Sequence, residues 1–203
     1  VKLQFLLSGK DKKVILISSS NKGEGKSFCS FNLASIFAVS GKKTVLLGFD
    51  LRKPKLDSLI QPGIAFGLSN YLAEQAEIAE IITPLKFSNL SFIGAGMVPP
   101  NPAELISQPR TAELFEYLRA NFDVIVVDTA PIGIVADTRI LVDFADAFVF
   151  ITRAGVTEKE HLKQTIDNLL SENMQSIGLV LNGIEAKDRS YGYYGSSYLN
   201  GGE

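Results

Sequence analysis

The chain has 203 residues, 46% of them hydrophobic, and a formal net charge of −2, which fits one globular domain with enough apolar material for a real core. The near-neutral charge lacks the basic footprint of a nucleic-acid binder, so no nucleic-acid partner is expected. Cys29 is the only cysteine; it excludes a disulfide framework and paired-thiolate iron–sulfur or zinc sites, and reads as a small buried apolar side chain.

Five short apolar runs do not alternate and are rich in Val, Ile, Leu and Phe: "VILIS" (14–18), "TVLLGF" (44–49), "DVIVVD" (123–128), "AFVFIT" (147–152) and "IGLVLN" (177–182). Strands buried on both faces read this way, so they predict a parallel sheet. "LSFIG" (90–94) is a weaker sixth strand. Helical patterns lie between them. "KSFCSFNLASIFAVSG" follows the first strand and stops at Gly41, a residue suited to a helix C-terminus. "PRTAELFEYLRANF" has Pro109 near its start and Leu114, Phe115 and Leu118 on one face. "TEKEHLKQTIDNLLSEN" offers Thr157 as N-cap with Glu160 three places on, a capping-box pattern. Strand–helix alternation with short connections predicts a doubly wound α/β fold, helices on both faces of a mostly parallel sheet, with ligands bound at the strands' carboxyl ends. The segment from about Asp188 has no periodicity and reads as a flexible tail, dividing the chain into a domain over 1–188 and a tail over 189–203. Four of the six tyrosines, Tyr191, Tyr193, Tyr194 and Tyr198, sit in that tail. No apolar run approaches the roughly 18 residues of a membrane span, no signal-peptide pattern is read in the given residues, and a start at Val1 rather than Met suggests an excised fragment.

Three segments carry chemistry. "SSSNKGEGKSF" joins the first strand to the first helix. Such a glycine-bearing loop turns backbone N–H groups toward a phosphate, and the helix N-terminus adds positive potential. Gly23 and Gly25 permit close approach, Lys26 brings charge to the β- and γ-phosphates of ATP or ADP, and the Ser27 hydroxyl can ligand Mg²⁺. Asn21, Lys22, Glu24 and Phe28 complete the nucleotide-binding loop. The motif G-x-x-x-x-G-K-[ST] is met except at its first glycine, where Ser20 stands. "VIVVDTAP" ends a buried strand with Asp128, a carboxylate on the metal side of the phosphates. "LLGFDLRKPKL" puts Asp50 and Arg52 after the second strand: Asp50 a second acidic group beside Mg²⁺, and Arg52, Lys53 and Lys55 cationic neighbours for phosphate or a phosphorylated partner. The catalytic candidates are thus Lys26, Asp50, Asp128 and Arg52; the metal candidates are Ser27, Asp50 and Asp128. Tyr71 and Tyr117 lie in amphipathic segments and read as structural, and the lone His161 falls on a polar helix face.

These segments together resemble the bacterial tyrosine kinases of capsule and exopolysaccharide synthesis, over nearly the whole chain. "SSSNKGEGKS" is similar to that family's Walker A loop, "LLGFDLRKP" to its Walker A′ motif, "VIVVDTAP" to Walker B, and "PPNPAELISQPR" (99–110) to the PPNP-x-E-L segment between them. The resemblance implies an ATP- and Mg²⁺-dependent autokinase whose acceptors are the tail tyrosines Tyr191, Tyr193, Tyr194 and Tyr198, phosphorylated between protomers of a ring. It also implies a membrane polysaccharide co-polymerase or activator segment, a tyrosine phosphatase, and a location at the inner face of the cell membrane. By the same likeness, Arg153 in "ITRAGVT" and Asn182 in "LVLNGI" lie near the nucleotide base. One departure stands out: the family's A′ motif carries D-x-D, and here its first position is Gly48.

A second reading is a partition- or cell-division-type ATPase switch of the same superfamily. That class carries an early lysine one place after the loop's first glycine position; this chain has Asn21 there, with Lys22 one place later. A dinucleotide oxidoreductase is excluded because "GEGKS" contains no G-x-G-x-x-G.

Overall fold

The computed structural model describes residues 12–64, 66–132, 137–171 and 176–184. Its centre is a seven-stranded sheet of order β3-β4-β2-β5-β1-β6-β7. The parallel strands are β1 (Val14–Ser19), β2 (Thr44–Gly48), β4 (Leu90–Ile93), β5 (Val124–Asp128), β6 (Ala147–Arg153) and β7 (Ile177–Asn182). All six apolar runs of the sequence are therefore strands. β3 (Thr83–Pro84) pairs antiparallel with β4 at one edge; two residues ending in proline carry no strand pattern, and proline on an edge strand wastes no ladder donor.

Apolar side chains on the two faces of the sheet form two cores. On one face, Ile15, Ile17, Leu46 and Val126 pack with Leu33, Ala34 and Phe37 of α1 (Lys26–Val39) and Leu56 of α2 (Lys55–Ile60). On the other, Leu16, Leu47, Val127 and Phe148 pack against α3 (Leu68–Leu72), α4 (Ile78–Ile81), α5 (Pro102–Ile106), α6 (Pro109–Asn121), α7 (Asp137–Val142) and α8 (Lys159–Ser171). Burial on both faces explains the unbroken apolar runs of β1, β2 and β5. β7 departs from the expected burial. It is an edge strand whose Leu179 and Leu181 are more than half exposed.

Helix boundaries follow local chemistry. Pro109 is the first residue of α6, where its missing N–H costs no intrahelical bond, and Leu114, Phe115 and Leu118 are buried. After α1, Gly41 takes φ +84°, the left-handed stop that glycine allows. Tyr71 is buried, with the Arg110 guanidinium 4.4 Å from its ring centre; Tyr117 is exposed. Among the described residues, no helix is long and apolar enough to cross a membrane. The boundary at 188/189 and the four tail tyrosines lie outside the described residues.

Strand order sets the position of the site. β1 lies between β5 and β6, so the chain leaves β1 toward one side of the sheet and later returns to pair on the other. At such a switch point, the carboxyl ends of neighbouring strands open a crevice. The loop after β1, Asp128 and the β6–α8 turn all meet there.

Candidate active site

The loop between Ser19 and Lys26 has two glycines with positive φ, Gly23 at +82° and Gly25 at +97°. Residues with a Cβ adopt such angles only under strain. Gly25 has a second reason to be glycine, because a Cβ there would strike the amide Nδ2 of Asn182. Ser20, in place of the motif's first glycine, is buried and takes no positive φ, so that position requires no glycine. Its Oγ has no hydrogen-bond partner among the described residues. α1 begins at Lys26 with no acidic residue in its first turn and no side-chain cap. Its first N–H groups and its dipole therefore stay free for an anion.

Four lysines converge on the resulting pocket of about 200 Å³: Lys22, Lys26, Lys53 and Lys55, joined by Asp50, Ser27 and Phe28. Asp128 lies beneath it, 3% exposed. Ser27 Oγ donates to Asp128 Oδ2 at 2.7 Å, and Ser30 Oγ is 2.9 Å from Oδ1. Burial pushes the Asp128 carboxyl up to about 6, against the pull of the Ser27 hydroxyl, Lys26 and the Ser30 hydroxyl. Lys26 is itself mostly buried, and burial lowers its pKa despite Asp128 and Asp50. For both groups burial outweighs the partners that favour the charged form. Asp50 is half-buried in the pocket wall, and its Oδ1 accepts from Lys53 N–H at 3.1 Å.

Arg52 is placed differently from its neighbours in the A′ segment. Its guanidinium forks onto Asp137, Nε to Oδ2 at 2.7 Å and Nη2 to Oδ1 at 3.0 Å, and it is not in the pocket wall. The space beside Gly48 is also filled. A Cβ at Gly48 would stand 3.3 Å from Asp57 Oδ1. Asp57, on α2, accepts from Ala95 N–H and Gly96 N–H at 3.1 Å each. An aspartate at position 48 would thus press a second carboxylate against one already held, which accounts for the glycine.

The far side of the loop is braced by hydrogen bonds. Arg153 Nη1 donates to Gly23 O at 2.9 Å, and Asn182 Nδ2 to Glu24 O at 3.0 Å. Both residues were expected at the nucleotide base; here they grip loop carbonyls. Glu24, fully buried, accepts from Asn21 N–H at 2.8 Å through Oε2, and from the Thr157 hydroxyl through Oε1. Thr157 Oγ1 in turn accepts from Arg153 N–H at 2.8 Å. The Thr157 side chain is therefore committed to the loop and not to capping α8, which corrects its reading as an N-cap. The capping-box spacing concealed this contact, which is 133 residues away in sequence. Cys29 also differs from expectation: it is half-buried, not fully buried, and burial followed by Asp128 raises its pKa. His161 is exposed.

A parallel sheet feeding a glycine loop into a helix, with a strand-end carboxylate under the loop, is the architecture of a P-loop nucleoside triphosphatase, and residues 12–177 match a family model described as an AAA domain. The chain is 32% identical over 197 residues to tyrosine-protein kinase CpsD of Streptococcus agalactiae, covering 97% of this chain and 86% of that protein. It is 34% identical over 195 residues to tyrosine-protein kinase YwqD of Bacillus subtilis, covering 96% and 82%. Among solved structures, the kinase domain of the Escherichia coli tyrosine kinase ETK superposes with a TM-score of 0.86 at 27% identity, over 92% of this chain and 73% of that one. The septum site-determining protein MinD of Pyrococcus horikoshii, complexed with Mg-ADP, reaches 0.70 at 20% identity over 84% of this chain and 70% of that one, a likeness of fold alone. The chain belongs to the bacterial tyrosine-protein kinase family, as its P-loop catalytic domain.

Proposed function

We propose that this domain transfers the γ-phosphoryl group of ATP to tyrosine hydroxyls, with its own C-terminal tyrosines Tyr191, Tyr193, Tyr194 and Tyr198 as acceptors, and that it does so between protomers in the service of capsule or exopolysaccharide synthesis. The observation that carries this reading is a phosphate loop whose Lys26 and Ser27 line one pocket over the buried Asp128, with Ser27 Oγ donating to Asp128 Oδ2 at 2.7 Å, in a chain related to tyrosine-protein kinases.

Each residue's part follows from its surroundings. The loop N–H groups and the α1 N-terminus bind the phosphates, and Lys26 offsets charge that develops on the transferring group. Gly23, Gly25, Ser27 and Phe28 shape the wall against which the nucleotide lies. The donor set fits a hard divalent cation: a serine hydroxyl beside a buried carboxylate, with a second carboxylate in the same pocket. Ser27, Asp128 and Asp50 would hold Mg²⁺, directly or through water, and the ion would supply charge neutralisation at the phosphates. In the transfer, the tyrosine oxygen forms a bond to phosphorus, the bond from phosphorus to the bridging oxygen breaks, ADP leaves, and the phenolic proton passes to a base. Asp50 suits that role better than Asp128. It is reachable in the pocket wall, whereas both Asp128 oxygens are engaged by serine hydroxyls.

A ring of protomers, a membrane-borne activator or co-polymerase segment and a tyrosine phosphatase complete the proposed setting. Incubating the wild-type chain with ATP and Mg²⁺, followed by mass spectrometry of tail peptides, tests the reading. Phosphotyrosine on residues 190–203 that disappears in Lys26→Ala is the expected result. ATP hydrolysis without any phosphotyrosine would favour a nucleotide switch instead.

A further inference from the structure

Next to the phosphate pocket lies a larger groove of about 630 Å³, and Ser27 and Phe28 line both. Its walls come from the first turns of α1, from α2 and from the β3–β4 hairpin, and include Phe31, Leu56, Leu59 and Phe87. Lys86 is the one charged residue in its lining. Several of its apolar groups face water: Phe28 is 68% exposed, Leu59 71% and Phe87 50%. A solvent-facing apolar trough running into a phosphate site is not needed to bind nucleotide phosphates, and patches of this kind mark binding surfaces.

The segment 190–203 has the matching chemistry. It contains four tyrosines and Leu199, its one aliphatic side chain, and its one charged side chain is Glu203. Tyr198 and Leu199 are adjacent, and Tyr194 lies four residues earlier. Extended chain rises about 3.3 Å per residue, so an extended segment would set these two positions about 13 Å apart. A ring at the phosphate pocket and a second ring in the adjoining trough are compatible with that spacing.

We propose that the groove is an acceptor subsite: it takes Tyr198 and Leu199 of the C-terminal segment as an apolar anchor while Tyr194 presents its hydroxyl at the phosphate pocket. The proposal rests on the tyrosine-kinase reading and adds a specificity rule to it, that a good acceptor tyrosine has an aromatic residue four places downstream. Ring faces from Phe28, Phe31 and Phe87 suit an aromatic occupant. A phosphate on Tyr198 would place a dianion in an apolar trough, so prior phosphorylation there weakens docking.

The test uses the full chain and synthetic peptides of residues 186–203 in which Tyr191 and Tyr193 are replaced by Ser, leaving Tyr194 as the acceptor under study. One peptide carries Tyr198→Phe, which keeps the ring and removes the competing hydroxyl. The other carries Tyr198→Ala with Leu199→Ala. The second is expected to show about a tenfold higher peptide KM, with kcat within about twofold and the KM for ATP unchanged, as loss of one buried aromatic anchor implies. The surface change Leu59→Asp should raise the KM of the Tyr198→Phe peptide to the level of the Ala peptide and leave the Ala peptide unaffected, the signature of two coupled groups. Equal KM values for the two peptides overturn the subsite. So does a Leu59→Asp effect that is the same on both, or one confined to the chain's oligomeric state, which would give the groove to a second copy's folded surface. If the wild-type chain labels its own tyrosines but neither peptide, the subsite alone is wrong; if it labels nothing, the kinase reading fails with it.

Discussion

Asp128 and Asp146 occupy opposite edges of the same sheet and are treated in opposite ways. At the amino edge, Asp146 accepts backbone N–H groups of Lys13 and Val14 at 2.8 Å each and a two-pronged contact from Arg119, at 2.8 and 3.1 Å. Burial works upward on its pKa, but the Arg119 fork and the two N–H groups outweigh it, and its carboxyl titrates below the usual range. At the carboxyl edge, Asp128 has two serine hydroxyls and a nearby lysine, and burial wins. One carboxylate is fully partnered and ties β1 to the start of β6. The other is left short of positive charge in a dry place. The structure thus spends stability at the edge that meets the ligand, as functional sites do.

The largest effect that would break this contrast is loss of the cation facing Asp128. Lys26→Ala is expected to lower ATP-dependent tyrosine phosphorylation by about 10²-fold or more, the scale seen when one preorganised electrostatic group is removed. Circular dichroism and thermal melting should show an intact fold, since Lys26 packs toward a phosphate pocket and not among apolar side chains. Wild-type labelling by this variant would remove the site from consideration.

The two aspartates should also give stability changes of opposite sign. Below about pH 4, Asp128 is protonated in both folded and unfolded chains and costs nothing. As the pH rises the unfolded chain ionises first, while the folded group holds its proton up to about 6. Stability is therefore lost between these values and stays lost above them, by roughly 3 kcal/mol for a shift of about two units. Asp128→Asn should then stabilise the nucleotide-free protein at pH 8 and have little effect near pH 4. For Asp146 the folded pKa is lowered, so its contribution is present above the unfolded value and fades as the pH falls through the folded one. Asp146→Asn should destabilise at pH 8 by about 2 kcal/mol, since it leaves Arg119 and two N–H groups with a weaker acceptor. Urea melts of both variants at pH 4 and 8 measure this, and same-sign shifts at pH 8 would contradict the contrast. In activity, Asp128→Asn should raise the Mg²⁺ requirement far more than it changes metal-free nucleotide affinity.

A second contrast runs across the phosphate loop itself, between the charged flank and the hydrogen-bonded brace of Glu24, Thr157, Arg153 and Asn182. Thr157→Val keeps the shape and removes the hydroxyl that donates to Glu24. A buried carboxylate then lacks one donor, which costs about 1–3 kcal/mol. Because Thr157 touches the loop and not the pocket, the loss should appear as weaker ATP binding, about tenfold, with Thr157→Ser restoring it. A change in kcat alone, or no rescue by serine, would show that the brace does not set the loop.

Most of the charged flank was legible in the sequence because its parts are local. The strand, the glycines, Lys26 and Ser27 lie within one short stretch, and Asp50 and Asp128 each end an unmistakable apolar run. The brace was not legible, since its contacts join residues 130 or more positions apart and nothing in "ITRAGVT" distinguishes a threonine that caps from one that reaches across. Arg52 was misleading for a related reason: a cation after the second strand looks available to phosphate until Asp137, 85 residues on, is found holding it. The exposed face of β7 was hidden because an edge strand and a central strand can carry the same apolar composition.

The smallest expected effect decides between two roles for one residue. Asn182 can be a partner for the nucleotide base, as the family resemblance implies, or a brace for the loop, as its 3.0 Å contact with Glu24 O indicates. Asn182→Ala removes one neutral hydrogen bond, worth about 1 kcal/mol, and so a few-fold in affinity. The size of the loss does not separate the roles, but its dependence on the base does. A brace acts on the phosphates that every nucleoside triphosphate shares, so ATP and GTP should weaken by the same factor. An amide that reads the base edge discriminates between adenine and guanine, which present different donors and acceptors, so its loss should narrow the preference between the two. Competition binding of ATP and GTP to both proteins gives the ratio directly. An unchanged ratio with both affinities down a few-fold places Asn182 in the brace; a collapsed ratio returns it to the base. Gly25 supplies an independent check on the same point. A Cβ at that position meets the Asn182 amide, so in the brace role Asn182→Ala should recover part of the affinity lost in Gly25→Ala, leaving only the strain of a positive φ to be borne.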